Sequence, residues 1–108
     1  MRLVIIESPY AGEVERNILY ARRAMHDALR RGEAPIASHL LYTQPNVLDD
    51  NKPEERKLGI AAGLAWMKVA DASIFYADYG ISKGMEAAFE KANAEGQVIE
   101  FRYIGINL

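Results

Sequence analysis

The chain has 108 residues, the usual size of one domain, and 50% of them are hydrophobic while 26% are charged. This composition is typical of a globular protein and argues against a disordered, collagenous or membrane-embedded chain. Thirteen Lys and Arg against 15 Asp and Glu give a formal net charge of −2, so no global positive field attracts nucleic acid or an anionic membrane. We expect one domain over residues 1–108, with no nucleic-acid partner and no membrane partner.

Cysteine is absent, and the only imidazoles are those of His26 and His39. Disulfides, thiolate nucleophiles and Cys-ligated metal centres are thereby excluded, and we expect no metal site and no cofactor. The apolar run at residues 3–6 ends at Glu7, which makes it too short for a signal peptide or a transmembrane span. We therefore expect a cytoplasmic protein.

The first third of the chain predicts a strand, a helix and a second strand. Residues 3–6 are rich in β-branched side chains, and residues 8–12 contain the types that end strands. Apolar residues recur at helical spacing over residues 13–31, and Gly32 follows as a stop signal. Residues 34–38 then predict a short strand, with Pro35 near its start.

The remainder predicts two more helices and two more strands. Residues 39–50 predict a partly ordered loop with a short helical turn at residues 40–42, and a helix follows from Pro53 to about Val69. Residues 70–77 predict the third strand, and a Gly-rich loop, residues 78–84, opens a helix that ends near Ala94. Alternating apolar and charged residues at 99–103 predict a last strand with one wetter face or at a sheet edge.

This order of elements predicts an α/β fold: a small Rossmann-like three-layer sandwich with helices on both faces of a four-stranded parallel sheet of order 2-1-3-4. Such a sheet reverses its winding between strands 1 and 3, and ligands bind there beyond the carboxyl ends of the strands. We expect the functional site between the loop at residues 7–12 and the loop at residues 78–86.

The second loop combines glycines with a hydroxyl. It matches neither the G-x-G-x-x-G fingerprint nor the P-loop pattern. Gly80, Ser82 and Gly84 at a helix N-terminus are the ingredients of an anion or phosphate seat. The alternative is that the same residues only cap the helix, since Ser is a common N-cap.

Three carboxylates and several aromatic side chains are predicted near this site. Glu86 is a candidate nucleophile or general base, although a glutamate in a first helical turn also suits the helix dipole. Glu7 and Asp78 end neighbouring strands, and a cluster with Glu86 would raise one pKa for acid catalysis, although acids at such positions are also commonly solvated. The aromatic candidates are Tyr10, Tyr76 and Tyr79, of which we expect one to contact a ligand and the others to pack.

His39 follows the second strand and is a further candidate for ligand binding, whereas His26 lies within a helix and is expected at the surface. Five arginines also lie on the first helix or at its end. Such a cluster is usually a solvated face, although dimer contacts and phosphate binding are alternatives.

Three segments, IIESPYAG (5–12), ADASIFY (70–76) and GISKGME (80–86), resemble the nucleoside 2-deoxyribosyltransferase-like superfamily. The whole chain is similar to small uncharacterised members of that group, which bacteriophages often encode. The resemblance implies that Glu86 attacks the anomeric carbon to give a glycosyl-enzyme intermediate, as in retaining glycosidases. It also implies a homo-oligomer, dimeric or higher, and a first loop that holds sugar and base through Glu7, Ser8, Tyr10 and Gly12, with Tyr10 stacking on the base.

Two positions depart from the superfamily's pattern: Ile5 stands where the transferases commonly keep a tyrosine, and Gly63 stands where an acid often precedes the helix's tryptophan. Our first hypothesis is cleavage or transfer of the N-glycosidic bond of a (deoxy)nucleoside or nucleoside 5′-monophosphate, with Glu86 as nucleophile and Asp78 in proton transfer. The second is a protein that binds a nucleotide or nucleotide-derived signal in the same cleft without cleaving it. The third is an interaction protein that uses Trp66 and Met67 as its interface.

Overall fold

Four strands and four α-helices make up the computed structural model, which describes residues 1–106. The strands are β1 (Arg2–Glu7), β2 (Glu33–Ile36), β3 (Ala72–Tyr76) and β4 (Ile99–Arg102). The helices are α1 (Val14–Arg30), α2 (Ser38–Leu41), α3 (Pro53–Ala65) and α4 (Lys83–Ala94), and a 3-10 turn, Trp66–Lys68, continues α3. Within the described part of the chain, no helix has the length and apolar character needed to cross a membrane.

The sheet has the order β2-β1-β3-β4, and all three pairs of neighbouring strands are parallel. In the register, Ile5 of the central strand β1 lies opposite Ile36 on one side and Ser73 on the other. The predicted order 2-1-3-4 is thereby confirmed, and the winding of the sheet reverses between β1 and β3. A reversal of this kind opens a crevice beyond the carboxyl ends of the two strands.

Helices cover both faces of the sheet, as predicted. One face packs on α1 through a buried cluster that contains Val4, Ile6, Tyr20, Ala24, Ala28, Ala72, Ile74 and Tyr76. The other face packs on α3, the 3-10 turn and α4 through Ile5, Leu64, Met67, Phe75, Met85, Ala88 and Ala92. Alanines on α1 and α4 let the helices approach the sheet closely, and the branched strand residues fill the space between the layers.

Among the element boundaries that differ from the prediction, two are decided by tertiary packing. The second strand ends at Ile36 rather than at residue 38, since the backbone amides of Leu40 and Leu41 bond to the Ala37 carbonyl and turn the chain into α2. This turn packs Leu40 against the α1 side of the core. The third helix ends at Ala65 rather than near residue 69, and the tighter 3-10 turn after it buries Met67.

The last strand is an edge strand, as its alternation predicts, but its charged side chains lie on the more buried face. Arg102 is only 8% exposed because its guanidinium binds the Glu33 carboxylate, whereas Phe101 on the opposite face is 48% exposed. An arginine can be buried in this way when a carboxylate compensates its charge.

Candidate functional site

A cavity of about 470 Å³ lies beyond the carboxyl end of β1, within the size range of small-molecule sites. The β1–α1 loop lines it with Glu7, Ser8, Tyr10, Ala11 and Gly12, and α2 with the loop after it contributes Ser38, His39, Tyr42, Thr43, Leu48 and Asp50. Helix α3 contributes Glu55, Arg56, Gly59, Ile60, Gly63 and Leu64, and the start of α4 contributes Ser82, Lys83, Gly84, Met85, Ala87 and Ala88. The cavity therefore lies where the topology predicts a ligand site.

Glu7 is the last residue of β1, and its side chain reaches the cavity from the central strand. Side chains alternate along a strand, so Glu7 lies on the same face as Ile5, which packs toward α3 and α4. Burial raises the pKa of Glu7 to about 7. A substantial fraction of this carboxyl group is thus protonated at neutral pH, when an exposed glutamate would be fully ionised.

Ser8 and His39 share a hydrogen bond inside the cavity, with 2.7 Å between Ser8 Oγ and His39 Nε2. Burial lowers the pKa of His39 to about 4, so the imidazole is neutral at physiological pH. The Tyr10 ring stands edge-on to the His39 ring, with 6.4 Å between their centroids. These three residues form an uncharged polar corner that can offer hydrogen bonds and an aromatic face.

The wall opposite α4 contains residues that the sequence did not indicate. Arg56 Nη1 lies 2.6 Å from Asp50 Oδ2, and this ion pair joins the loop after α2 to α3. Trp66 Nε1 donates a hydrogen bond of 2.9 Å to the hydroxyl of Tyr42, which lines the cavity. The length of the loop at residues 39–50 is the one signal that points to this wall, because the pairings across it depend on how α2 and α3 pack.

Ser82 caps α4: its Oγ accepts a hydrogen bond of 3.2 Å from the Met85 amide. Ser82 therefore caps the helix and also lines the cavity. Apart from the adjacent residues and the backbone of α4 itself, a Cβ at Gly84 would meet no atom closer than Ser82 Oγ at 4.0 Å, so this glycine leaves open space on the cavity wall. A ligand can approach the backbone closely at such a position.

Glu86 lies in the first turn of α4, as predicted. Contrary to the expectation that it faces the cleft, its side chain is exposed and does not line the cavity, although Met85 and Ala87 on either side of it do.

Asp78 does not reach the cavity, contrary to expectation. Its carboxylate accepts hydrogen bonds from the Tyr20 hydroxyl at 2.6 Å and from the backbone amides of Ile104 and Gly105 at 3.0 and 2.9 Å. These partners lie on the α1 side of the sheet and toward the end of the chain. The expected cluster of Glu7, Asp78 and Glu86 is therefore corrected: the structure does not bring these carboxylates together.

Tyr79 and Gly80 follow Asp78 to the α1 side, away from the cavity, which also corrects their expected placement. The Tyr79 ring packs edge-on against Tyr20, with centroids 4.9 Å apart, and the Arg16 guanidinium lies 3.9 Å from its centroid. Gly80, with φ of +83°, closes a turn through a 2.9 Å bond to the Ala77 carbonyl. The hydroxyl of Tyr76 is also committed to α1, because it donates to Asp27 at 2.7 Å.

Seven of the predicted site residues line the cavity: Glu7, Ser8, Tyr10, Gly12, His39, Ser82 and Gly84. Of the three candidate tyrosines, Tyr10 alone is among them. Across residues 1–106, no group of three or more His, Asp or Glu side chains is arranged to hold a metal ion.

The parallel sheet of order 2-1-3-4, with a cavity at its winding reversal, defines a Rossmann-like α/β protein. The solved structure of a 2-deoxyribosyltransferase from the psychrotolerant bacterium Bacillus psychrosaccharolyticus is similar, with a TM-score of 0.59 over 98% of this chain and 75% of that one. At 14% sequence identity, this likeness shows a shared fold. The chain itself belongs to the family described as "Domain of unknown function (DUF7768)", whose profile matches residues 2–102. No curated protein matches it.

Proposed function

We propose that the cavity binds a nucleoside or nucleoside 5′-monophosphate and that the protein cleaves or transfers its N-glycosidic bond. The observation that carries this proposal is a cavity of about 470 Å³ at the winding reversal of a fold shared with a 2-deoxyribosyltransferase. Its lining suits a nucleoside, because Tyr10 offers an aromatic face for the base while Ser8 and His39 offer polar atoms for sugar hydroxyls.

In the proposed reaction, a carboxylate oxygen of Glu86 forms a bond to the anomeric carbon as the bond from that carbon to the base breaks. The electron pair of the broken bond moves onto the base. Water or a second base then attacks the anomeric carbon and releases the Glu86 carboxylate. The position of Glu86 in the first turn of α4, between two residues that line the cavity, supports this role.

A binding protein that does not cleave its ligand is the second candidate, and two observations favour it. The side chain of Glu86 is exposed and outside the cavity lining. At Gly63, where the superfamily often has an acid, a Cβ would lie 2.5 Å from Ser38 Oγ, so no larger side chain fits without movement of α2 or α3. In both candidates the partner is a small nucleoside or nucleotide in the same cavity.

We also propose that the chain assembles as a homo-oligomer, dimeric or larger. Exposed aromatic side chains support this proposal: Phe89 on α4 and Phe101 on β4 lie 5.9 Å apart between ring centroids and are 37% and 48% exposed. Contiguous exposed apolar surface of this kind is common where protein chains meet.

The test of the proposed reaction is a mass-spectrometric product assay with a panel of ribo- and deoxyribonucleosides and their monophosphates, with and without an added acceptor base. We expect wild type to release or exchange a base and Glu86→Gln to lose this activity. Glu90→Gln, a matched change at an exposed position of α4, should behave as wild type.

Each outcome of the assay has a distinct meaning. One outcome would favour the binding protein: wild type produces no free or exchanged base, yet an added nucleotide raises the thermal stability of both wild type and Glu86→Gln. Turnover that survives in Glu86→Gln would contradict Glu86 as the nucleophile while leaving the reaction itself intact.

A further inference from the structure

Glu7 stands apart from the other carboxyl groups of the protein. It is the last residue of the central strand, it is partly buried, and its side chain lines the cavity. Among residues 1–106, no side chain or backbone amide forms a hydrogen bond or an ion pair that perturbs this carboxyl group, and burial is the one cause of its altered pKa. Within the described residues, the Glu7 carboxyl group therefore has no such partner where it lines the cavity, and it can interact with a molecule bound there.

Four other charged groups line the cavity, and three of them have partners of their own. Asp50 and Arg56 form an ion pair at 2.6 Å, and Glu55 accepts a hydrogen bond of 3.0 Å from the Asp49 amide. Lys83 begins α4 on the other wall.

The other titratable side chains that line the cavity come from the loop after β1, from α2 and from the residue after α2. They are Tyr10, His39 and Tyr42. His39 is hydrogen-bonded to Ser8, and Tyr42 accepts a hydrogen bond from Trp66. Glu7 is thus the acidic group of the cavity that remains available for a bound molecule.

We propose that Glu7 is the general acid that protonates the departing base, an inference that rests on the proposed glycosidic reaction. The Glu7 carboxyl proton moves to a ring nitrogen or exocyclic oxygen of the base while the bond from the anomeric carbon to the base breaks. The electron pair of that bond stays on the base, and Glu7 is left as a carboxylate. When water attacks the glycosyl-enzyme intermediate, its proton passes to Glu7 and regenerates the acid.

The environment of Glu7 suits this role physically. Leu64, Met85 and Ala88 give the cavity an apolar wall, and an apolar surrounding disfavours the ionised form of a carboxylic acid. With a pKa of about 7, a substantial fraction of Glu7 carries a proton near neutral pH, and a general acid is most effective when its pKa lies near the pH of the reaction.

The experiment compares Glu7→Gln with wild type on two substrates that differ in how much the leaving base needs a proton. One is an ordinary purine nucleoside. The other is a purine nucleoside methylated on the imidazole ring, whose base already carries a positive charge and departs without protonation. We expect Glu7→Gln to lower kcat on the ordinary nucleoside by about 100-fold or more and on the methylated one by less than about 10-fold.

A pH profile gives the second readout, which a purely structural role would not alter. For wild type on the ordinary nucleoside, kcat/KM should fall as the pH rises through about 7, because Glu7 of the free protein loses its proton. This descending limb should be absent on the methylated nucleoside. Glu90→Gln is the control for an unrelated loss of a carboxylate, and a urea denaturation curve of Glu7→Gln verifies that the fold is retained.

Failure of this inference can be distinguished from failure of the proposed function. If wild type releases base from both substrates and Glu7→Gln slows both equally or neither, the reaction stands and the acid role of Glu7 is overturned. If wild type releases base from neither substrate, the proposed glycosidic reaction fails and the acid role fails with it.

Discussion

The carboxylate of Asp78 joins the end of the described chain to α1. It accepts hydrogen bonds from the Tyr20 hydroxyl and from two backbone amides, those of Ile104 and Gly105, and the Tyr20 hydroxyl in turn accepts one of 2.8 Å from the Asp78 amide. Hydrogen bonds to an ionised carboxylate are stronger than those to a neutral amide. Asp78, which follows a central strand, therefore stabilises the fold and does not line the cavity.

We predict that Asp78→Asn lowers the free energy of unfolding by about 1–3 kcal/mol, because at least one donor loses its charged acceptor. Urea denaturation at neutral pH measures this change, with Glu90→Gln as the surface control. Base release per folded molecule should stay close to that of wild type. If the variant has normal stability but releases no base, Asp78 takes part in the reaction.

Packing between elements depends on Gly63 in α3. A Cβ at this position would lie 2.5 Å from Ser38 Oγ and 2.9 Å from Ser38 Cβ, so the start of α2 rests directly on this glycine. Gly59, one turn earlier, has a looser environment, since a Cβ there would first meet the flexible end of Leu48 at 3.2 Å. Both glycines line the cavity, which makes them a matched pair.

Gly63→Ala should lower the free energy of unfolding by about 1–3 kcal/mol, the usual cost of overpacking. Gly59→Ala should change it by less than about 1 kcal/mol, because the helix propensity of alanine offsets the small displacement of Leu48. Urea denaturation compares the two variants, and Ser38→Gly added to Gly63→Ala should recover part of the loss. If the two substitutions lower the free energy of unfolding equally, contact with Ser38 is not the reason that position 63 requires glycine.

At the scale of whole elements, the sequence was a good guide to the fold. Hydrophobic runs separated by helical segments predict the parallel sheet, and the small number of strands favours the order 2-1-3-4. The ends of β2 and α3 were misplaced because the burial of Leu40 and Met67, which no local pattern encodes, determines where the chain turns.

The lining of the cavity was predictable where topology alone determines it and not where tertiary contacts do. The loop after β1 lies at the winding reversal in any sheet of this order, so Glu7 and Tyr10 were found. The two ends of the loop after β3 lie in different places. Asp78 bonds to Tyr20 of α1, whereas Ser82 caps α4 and lines the cavity. That difference depends on the partner Tyr20, 58 residues away in sequence, and periodicity carries no information about it.

Across the whole molecule, a chain of ion pairs joins the two edges of the sheet. Both Arg102 on the edge strand β4 and Arg2 on β1 bind the carboxylate of Glu33, which lies on the other edge strand, β2. Arg2 also binds Glu100 at 2.6 Å. The twist of a parallel sheet raises diagonally opposite corners toward the same face, which allows side chains from the two edges to meet. Arg102 and Glu33 are both buried, so neither can lose its partner without a cost.

This chain of ion pairs makes stability depend on acid pH in a defined window. Hydrogen bonds from Arg102 lower the pKa of Glu33 to about 2, from an ordinary value of 4.5. A carboxyl group with a depressed pKa in the folded state contributes stability that is fully present above pH 4.5 and is lost as the pH falls toward 2. The shift corresponds to about 3 kcal/mol.

We predict that Glu33→Gln costs about 3–5 kcal/mol at pH 7, because Arg102 keeps its charge in a buried site without a full counter-charge. Between pH 4.5 and pH 2, the variant should lose about 3 kcal/mol less than wild type, since it lacks the titrating group. Urea midpoints across this range test both statements. Protonation of His39, whose pKa burial lowers to about 4, occurs in both proteins and cancels in their difference. Parallel stability curves for the two proteins below pH 4.5 would mean that Arg102 stabilises the fold by packing against its neighbours rather than through the charge of Glu33.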